Sequence, residues 1–178
     1  MTAWVALLRG VNVGGITIRS ADLAALLREE LGFDDVRTYL ASGNARFEAD
    51  AAPGARQQLK KSIEKSLGER FGYDAWIVLV TLGELRRAIE KFPFDASDGT
   101  RQPWVIFCAD DATRDELAAT AAPLDDVVDP VATGPGVVYW NPRKGSSTDT
   151  PFAKILAKST YRPRTTNRNL RTLEKISA

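Results

Sequence analysis

The chain has 178 residues, of which 44% are hydrophobic, and its formal net charge is only +1. This length and apolar content suffice for one compact domain or two small lobes, without support from disulfides or metals. Histidine is absent, which excludes Ser-His-Asp and Cys-His nucleophile systems and histidine-bearing zinc sites, so enzymes that use magnesium, lysine or carboxylates are the ones that remain.

In the first half of the chain, strand and helix patterns follow one another in the order β-α-β-β-α-β. Short apolar or alternating runs predict the strands, and apolar stripes at helical spacing predict the helices. Ser20 is expected to cap the first helix, and Gly32 and Gly72 to end the two helices. The elements are a strand at 4–9, a helix bearing Leu23, Leu26, Leu27 and Leu31, strands at 36–40 and 45–48, a helix after Pro53 bearing Leu59, Ile63, Leu67 and Phe71, and a strand at 75–80.

The second half repeats β-α-β-β-α, with a helix predicted where a final strand would be. Capping boxes are predicted at Thr81 with Glu84 and at Thr113 with Glu116, and single caps at Thr150 and Thr166. The elements are a connecting helix bearing Leu85, Ile89 and Phe92, a strand at 104–108, a helix after Thr113, strands at 127–131 and 137–140, a helix bearing Phe152, Ile155 and Leu156, and a last helix bearing Leu170, Leu173 and Ile176.

Both halves match the split-βαβ, or ferredoxin-like, arrangement. We therefore predict an α+β fold of two tandem ferredoxin-like (βαββα) lobes, with mostly antiparallel sheets covered by helices. The predicted domains are residues 1–80 and residues 81–178, the second of which carries the basic C-terminal helices. Residues 95–103 are the predicted exposed connection.

The expected location is the cytoplasm. The single cysteine, Cys108, lies in an apolar run and is predicted to be a small buried hydrophobe. No run approaches the roughly 18 apolar residues that cross a bilayer, and the first ten residues lack a signal-peptide pattern. We therefore expect no membrane partner, whereas nothing in the sequence predicts the oligomeric state, a cofactor or a metal site.

The first candidate site is the segment from Arg9 to Gly15, placed between the first strand and the first helix. Its glycines, Gly10, Gly14 and Gly15, free backbone N–H groups to face an anion, Arg9 can bind a carboxylate or phosphate, and Asn12 can orient it. The spacing matches neither the dinucleotide-binding fingerprint nor the P-loop, so no nucleotide class follows. The structural alternative is a tight turn with Arg9 in an ion pair.

The second candidate is the turn at Ser42, Gly43 and Asn44. On strands next to that of Arg9, it can add a hydroxyl, an amide and an exposed peptide N–H to the same site. Alternatively, it is a turn whose residues tolerate a positive φ. Its position relative to Arg9 distinguishes the two interpretations.

The third candidate is the basic end of the chain. Residues 143–178 contain nine Lys or Arg against two acids, a formal charge of +7, whereas residues 1–142 contain 15 basic and 21 acidic side chains and carry −6. Such a strip favours a small anionic ligand, a nucleic-acid backbone, or docking onto an acidic block within the same lobe. The acidic block comprises Asp110, Asp111, Asp115, Glu116, Asp125, Asp126 and Asp129.

The sequence resembles a bacterial family known as domain of unknown function 1697. The resemblance covers nearly the whole chain and implies two ferredoxin-like halves in a cytosolic protein, but no activity, cofactor or catalytic residue. Family members typically have a longer loop after the two glycines and a Trp where this chain has Leu170. The resemblance rests on residues 7–15, 31–33, 36–39, 42–44 and 166–169, with Thr172 and Lys175.

These observations lead to three hypotheses. The first is binding, without catalysis, of a small phosphate- or carboxylate-bearing ligand by Arg9, Asn12, Gly14, Gly15, Ser42, Asn44, Arg168 and Asn169. The second is nucleic-acid binding through Arg162, Arg164, Arg168 and Arg171, although Phe47 alone supplies the aromatic surface that RNA-recognition modules use for stacking. An enzyme that needs no histidine is the third.

Overall fold

The computed structural model describes residues 1–10, 16–40 and 43–178. They form two four-stranded antiparallel sheets, each packed with helices, which confirms the predicted α+β fold of two ferredoxin-like lobes. The chain divides into two compact units, Met1–Arg86 with Lys175–Ala178, and Arg87–Glu174. The predicted domain boundary between residues 80 and 81 stays a prediction.

The first unit contains a sheet in the order β2-β3-β1-β4, in which every neighbouring pair is antiparallel. A central β1 flanked by β3 and β4 is the ferredoxin-like order. Its elements are β1 (Thr2–Leu8), α1 (Ser20–Ala25) continued by a π-helical turn (Leu26–Glu30), β2 (Asp34–Tyr39), β3 (Asn44–Ala49), a 3-10 turn (Pro53–Ala55), α2 (Arg56–Phe71), β4 (Ile77–Thr81) and α3 (Leu82–Glu90), which runs on into the second unit.

Apolar side chains from the sheet and both helices form the core of the first unit. The predicted α2 stripe is confirmed, because Leu59, Ile63 and Leu67 are buried there. Gly72 ends α2 in the left-handed conformation, as expected. Ser20, by contrast, does not cap α1: it is the first helical residue, and Arg19 precedes it without a side-chain capping bond.

The second unit contains a sheet in the order β6-β7-β5-β8, also antiparallel throughout. Its apolar core lies between that sheet and the helices α4 and α5. The elements are β5 (Trp104–Cys108), α4 (Asp111–Ala121), β6 (Val131–Gly134), β7 (Val137–Trp140), α5 (Pro151–Leu156), a 3-10 turn (Arg162–Arg164), β8 (Thr165–Asn169) and α6 (Leu170–Ser177), whose end belongs to the first unit.

Three predictions for the second half are wrong. The second sheet has its fourth strand, because β8 pairs with β5 where a helix capped by Thr166 was expected. The predicted strand at 127–131 begins only at Val131. The capping box at Thr113 does not form either, because the helix cap lies three residues earlier, at Asp110, whose side chain accepts a hydrogen bond from the Thr113 amide.

The first capping box and the Thr150 cap are confirmed. The Thr81 amide donates to the Glu84 carboxylate at 2.9 Å, and the Glu84 amide donates to the Thr81 hydroxyl at 3.1 Å. The Thr150 hydroxyl accepts from the Ala153 amide at 3.1 Å, with Pro151 in the first turn. None of the described helices is both long and apolar enough to cross a membrane.

Candidate functional site

Three chain segments meet at one end of the first sheet. The Leu8 amide donates to the Gly43 carbonyl at 2.8 Å, and the Arg9 amide donates to the Trp76 carbonyl at 3.0 Å. Because β1 ends at Leu8 while β3 and β4 begin nearby, these bonds place Arg9, the turn before β3 and the approach to β4 side by side. Of the two candidate segments of the first half, the described residues Arg9 and Gly43 therefore lie at the same end of the sheet.

The turn before β3 is held by its backbone and by a buried amide. Gly43 has a φ of +77°, which glycine adopts without the steric cost that other residues meet. Asn44 is only 1% exposed, and its Nδ2 donates to the Tyr39 carbonyl at 3.0 Å. The side-chain amide of Asn44 thus connects the start of β3 to the end of β2.

Two cationic groups lie over the half-buried ring of Trp76. The guanidinium carbon of Arg9 is 5.8 Å from the ring centroid, and Nζ of Lys60 is 5.1 Å from it. Both distances are within the range of cation–π attraction. We call Arg9, Lys60 and Trp76 the cation–tryptophan cluster.

Glu64 neutralises one of these cations. Lys60 Nζ lies 2.9 Å from both carboxylate oxygens of Glu64, one of which also accepts from the Ile77 amide at 3.1 Å. Together, Arg9, Lys60 and Glu64 carry a formal charge of +1. The charge of Lys60 is therefore compensated within the cluster, and the Glu64 carboxylate is tied to the start of β4 through the Ile77 amide.

A buried phenol lies beside the same carboxylate. Burial, and secondarily the charge of Glu64, raises the pKa of Tyr73 to about 12. Within the described part of the chain, its hydroxyl has no hydrogen-bond partner. The Tyr73 hydroxyl therefore keeps its proton even at alkaline pH.

Among the described residues, no group of three or more Cys, Asp or Glu is arranged to hold a metal ion.

Some predicted site residues lie outside the described part of the chain. These are Asn12, Gly14, Gly15 and Ser42. The cation–π contacts of Arg9 and Lys60 with the Trp76 ring were not predicted from the sequence. These contacts depend on how α2 packs beside the start of β4, and neither Lys60 nor Trp76 belongs to a recognisable motif.

In the second unit, Arg168 and Asn169 have local partners of their own. Arg168 is 8% exposed, and its Nη1 donates to the Thr166 hydroxyl at 2.6 Å and to the Asn167 carbonyl at 3.0 Å. The Asn169 side-chain oxygen accepts from the Arg171 amide at 3.0 Å, which caps α6. Both residues end β8, and the helix start predicted around them lies instead at Leu170.

The arginines of the nucleic-acid alternative differ in their contacts. Arg164 donates to the Thr160 carbonyl, the Thr113 hydroxyl and the Glu116 carboxylate at 2.9 to 3.1 Å. Arg171 donates to the Ala96 carbonyl at 3.0 Å and lies 3.8 Å from the Glu174 carboxylate. Arg162 is exposed. Of the acidic block, Glu116 is the residue that Arg164 contacts.

Cys108 is a buried hydrophobe, as expected. It is 8% exposed within β5, and burial raises the pKa of its thiol to about 12. A reactive thiol needs an accessible thiolate at neutral pH, and burial and the raised pKa of Cys108 both disfavour one.

Comparison with known proteins gives a family and a fold relative. The model of a family described as "Protein of unknown function (DUF1697)" matches residues 1–139. The solved structure of the conserved bacterial protein SP0830 from Streptococcus pneumoniae is similar over 99% of this chain and 97% of that chain, with 26% sequence identity and a TM-score of 0.80. Among curated proteins, none matches the chain.

Proposed function

This chain belongs to the DUF1697 family. We propose that it binds a small anionic ligand, carrying a phosphate or a carboxylate, at the end of its first sheet. The observation that carries the proposal is the convergence of Arg9 with the turn before β3, fixed by the Leu8–Gly43 and Arg9–Trp76 backbone bonds. A planar guanidinium beside backbone N–H groups is a favourable anion site.

The cation–tryptophan cluster supports a positioned guanidinium at this site. A ring face 5.8 Å from Arg9 limits the orientations of its side chain. A side chain that is already oriented loses less entropy when it binds a ligand. We propose that Arg9 carries the charge recognition, with Asn12, Gly14, Gly15, Ser42 and Asn44 around it.

Arg168 and Asn169 belong to the second unit, and we propose for them a ligand contact that is tested separately from Arg9. Asn169→Asp keeps an oxygen that caps α6 but removes the amide donor. A ligand bound by that amide would lose affinity in this variant, with the helix intact. An unchanged affinity would remove Asn169 from the site.

The proposal is tested by thermal unfolding and calorimetry of the full chain with inorganic phosphate, succinate and AMP as probes. We expect a saturable rise in Tm with at least one probe, because a ligand that binds only the native state stabilises it. Arg9→Gln should weaken binding about tenfold or more, the effect of losing a charge-assisted hydrogen bond. Arg9→Lys should keep only part of the wild-type affinity, because lysine keeps the charge but lacks the planar guanidinium that binds two oxygens at once.

The matched control is Arg37→Gln, which removes an exposed arginine from the same unit. It should leave the affinity unchanged. Failure of all three probes, or equal losses in Arg9→Gln and Arg37→Gln, would refute the anion site. Single-stranded oligonucleotide binding that weakens steeply with salt and depends on Arg162 would instead support the nucleic-acid alternative.

A further inference from the structure

A surface cavity in the second unit is separate from the residues used above. It has a volume of about 120 Å³ and is lined by Val127, Val128, Arg143, Ser146 and Thr150. From its size and lining we infer that it binds a short, branched aliphatic carboxylate. This inference does not rest on the proposed function of the first unit.

The volume limits the ligand to a few heavy atoms. An engineered apolar cavity of about 150 Å³ accepts benzene, so a cavity of similar size suits a molecule of about six or seven heavy atoms. A nucleotide is several times larger. The size therefore favours a small acid over the larger anions that a basic surface also attracts.

One wall of the cavity is apolar and exposed. Val127 is 59% exposed and Val128 is 41% exposed, and among the described residues they form the one adjacent pair of large exposed hydrophobics. Neighbouring apolar side chains at the surface mark a contact for an apolar group. An isopropyl group, the branched end of such an acid, can pack against the two valine side chains.

The other wall of the cavity is polar and is formed by Arg143, Ser146 and Thr150. No hydrogen-bond or ion-pair partner of the exposed Arg143 guanidinium occurs among the described residues, so its five donors are available to a carboxylate. The Thr150 hydroxyl accepts from the Ala153 amide, which leaves its proton for donation. Ser146 offers a second hydroxyl at the cavity wall.

Hydrogen bonds from the Arg101 side chain and from the backbone connect these two walls. Arg101 Nη1 donates to the Val127 carbonyl at 2.8 Å, and Arg101 forms a β-bridge with Arg143. The Ser146 amide donates to the Arg143 carbonyl at 3.0 Å. The apolar and the charged side of the cavity are thus connected through one residue, which preorganises the site.

The inference is tested by NMR titration of the full chain with isovalerate, observing the methyl groups of Val127 and Val128 and the Ser146 amide. We expect chemical-shift changes that saturate with a Kd on the order of 1 mM, because the binding free energy available to so few heavy atoms is small. Isovaleramide, of the same shape without the charge, should bind about tenfold more weakly. Acetate should also bind more weakly, because it lacks the branched chain.

Variants separate a built site from general charge attraction. Arg143→Gln should weaken isovalerate binding about tenfold, and Val128→Thr should weaken it while keeping the size of the side chain. Lys144→Gln removes the neighbouring exposed charge, which does not line the cavity, and should have no effect. The inference is overturned by the absence of saturable shifts, by equal affinity for isovaleramide, or by equal losses in Arg143→Gln and Lys144→Gln.

Discussion

Gly43 lies directly against Leu8, so closely that a side chain at residue 43 has no room. Its carbonyl accepts from the Leu8 amide at 2.8 Å, and an added Cβ would lie 2.8 Å from the Leu8 Cβ. The same glycine has a φ of +77°. This position therefore requires glycine for two separate reasons, close packing and backbone conformation.

Gly43→Ala is expected to destabilise the protein by about 2–4 kcal/mol, the sum of a left-handed backbone cost and a steric clash. The matched control is Gly136→Ala, with a φ of +72° and no atom within 4 Å of the added Cβ. It should cost about 1 kcal/mol, for the backbone alone. Urea unfolding measures both, and equal losses would show that the contact with Leu8 yields at no cost.

Asp129 is a buried carboxylate that serves two donors. It accepts from Trp140 Nε1 at 2.9 Å and from the Phe152 amide at 3.1 Å. Asp129→Ala leaves both buried donors unpaired and should cost about 3–5 kcal/mol, whereas Asp129→Asn keeps one acceptor and should cost about half as much. Asp126→Asn, at an exposed position, should change the free energy of unfolding by less than about 0.5 kcal/mol.

Urea unfolding followed by Trp fluorescence checks these values. A loss in Asp129→Ala no greater than that in Asp126→Asn would show that water replaces the carboxylate. If Asp129→Asn has the same free energy of unfolding as the wild type, one of the two donors contributes nothing to stability through its bond to this side chain.

Apolar patterns predicted most of the fold, and polar segments account for what was missed. The helix α2 follows from Leu59, Ile63 and Leu67, which share one face. The strand β8 has no such pattern, because its residues are Thr165, Thr166, Asn167, Arg168 and Asn169. It forms because the exposed edge of β5 offers backbone partners, and that edge exists only once the second sheet has assembled.

The candidate site follows the same division. Proximity of Arg9 to the turn before β3 was expected from strand order, because β3 adjoins β1 in a ferredoxin-like sheet. The contacts of Arg9 and Lys60 with the Trp76 ring were not expected, since they depend on side-chain packing between α2 and the start of β4. The Asp110 cap was missed because Thr113 and Glu116 have the spacing of a capping box. Asp110 and Asp111 are adjacent, and the sequence does not show which of them begins the helix.

Asp110 should make stability depend on acid pH. Hydrogen bonds from the Thr113 side chain and backbone lower the pKa of Asp110. Because the folded pKa is lower than the unfolded one, the stabilisation is fully present above the ordinary aspartate pKa and is lost as pH falls through the lowered value. Asp110→Asn keeps a capping oxygen but cannot titrate, so the difference in unfolding free energy between wild type and variant should shrink from about pH 6 to pH 2.

The measurement is urea unfolding of both proteins across that pH range. Asp110→Ala, which loses the cap at every pH, should be less stable than Asp110→Asn near neutrality. A wild-type pH slope in Asp110→Asn would show that other carboxylates account for the acid dependence.

Arg164 and Arg162 should separate docking from nucleic-acid binding. Because Arg164 contacts Thr113, Glu116 and Thr160, Arg164→Gln should lower the free energy of unfolding by about 1–2 kcal/mol. Arg162→Gln, at an exposed position, should lower it by less than about 0.5 kcal/mol. With side chains 33% and 52% exposed, the Arg164–Glu116 pair itself should contribute under about 1 kcal/mol.

A double-mutant cycle with Glu116→Gln isolates that pairwise term from the hydrogen bonds to Thr113 and Thr160. If Arg164 serves docking, its replacement changes the free energy of unfolding and leaves oligonucleotide affinity as it is. The opposite pattern, full stability with weakened and less salt-dependent oligonucleotide binding, would assign Arg164 to a nucleic-acid surface, because each lost phosphate contact lowers the salt slope.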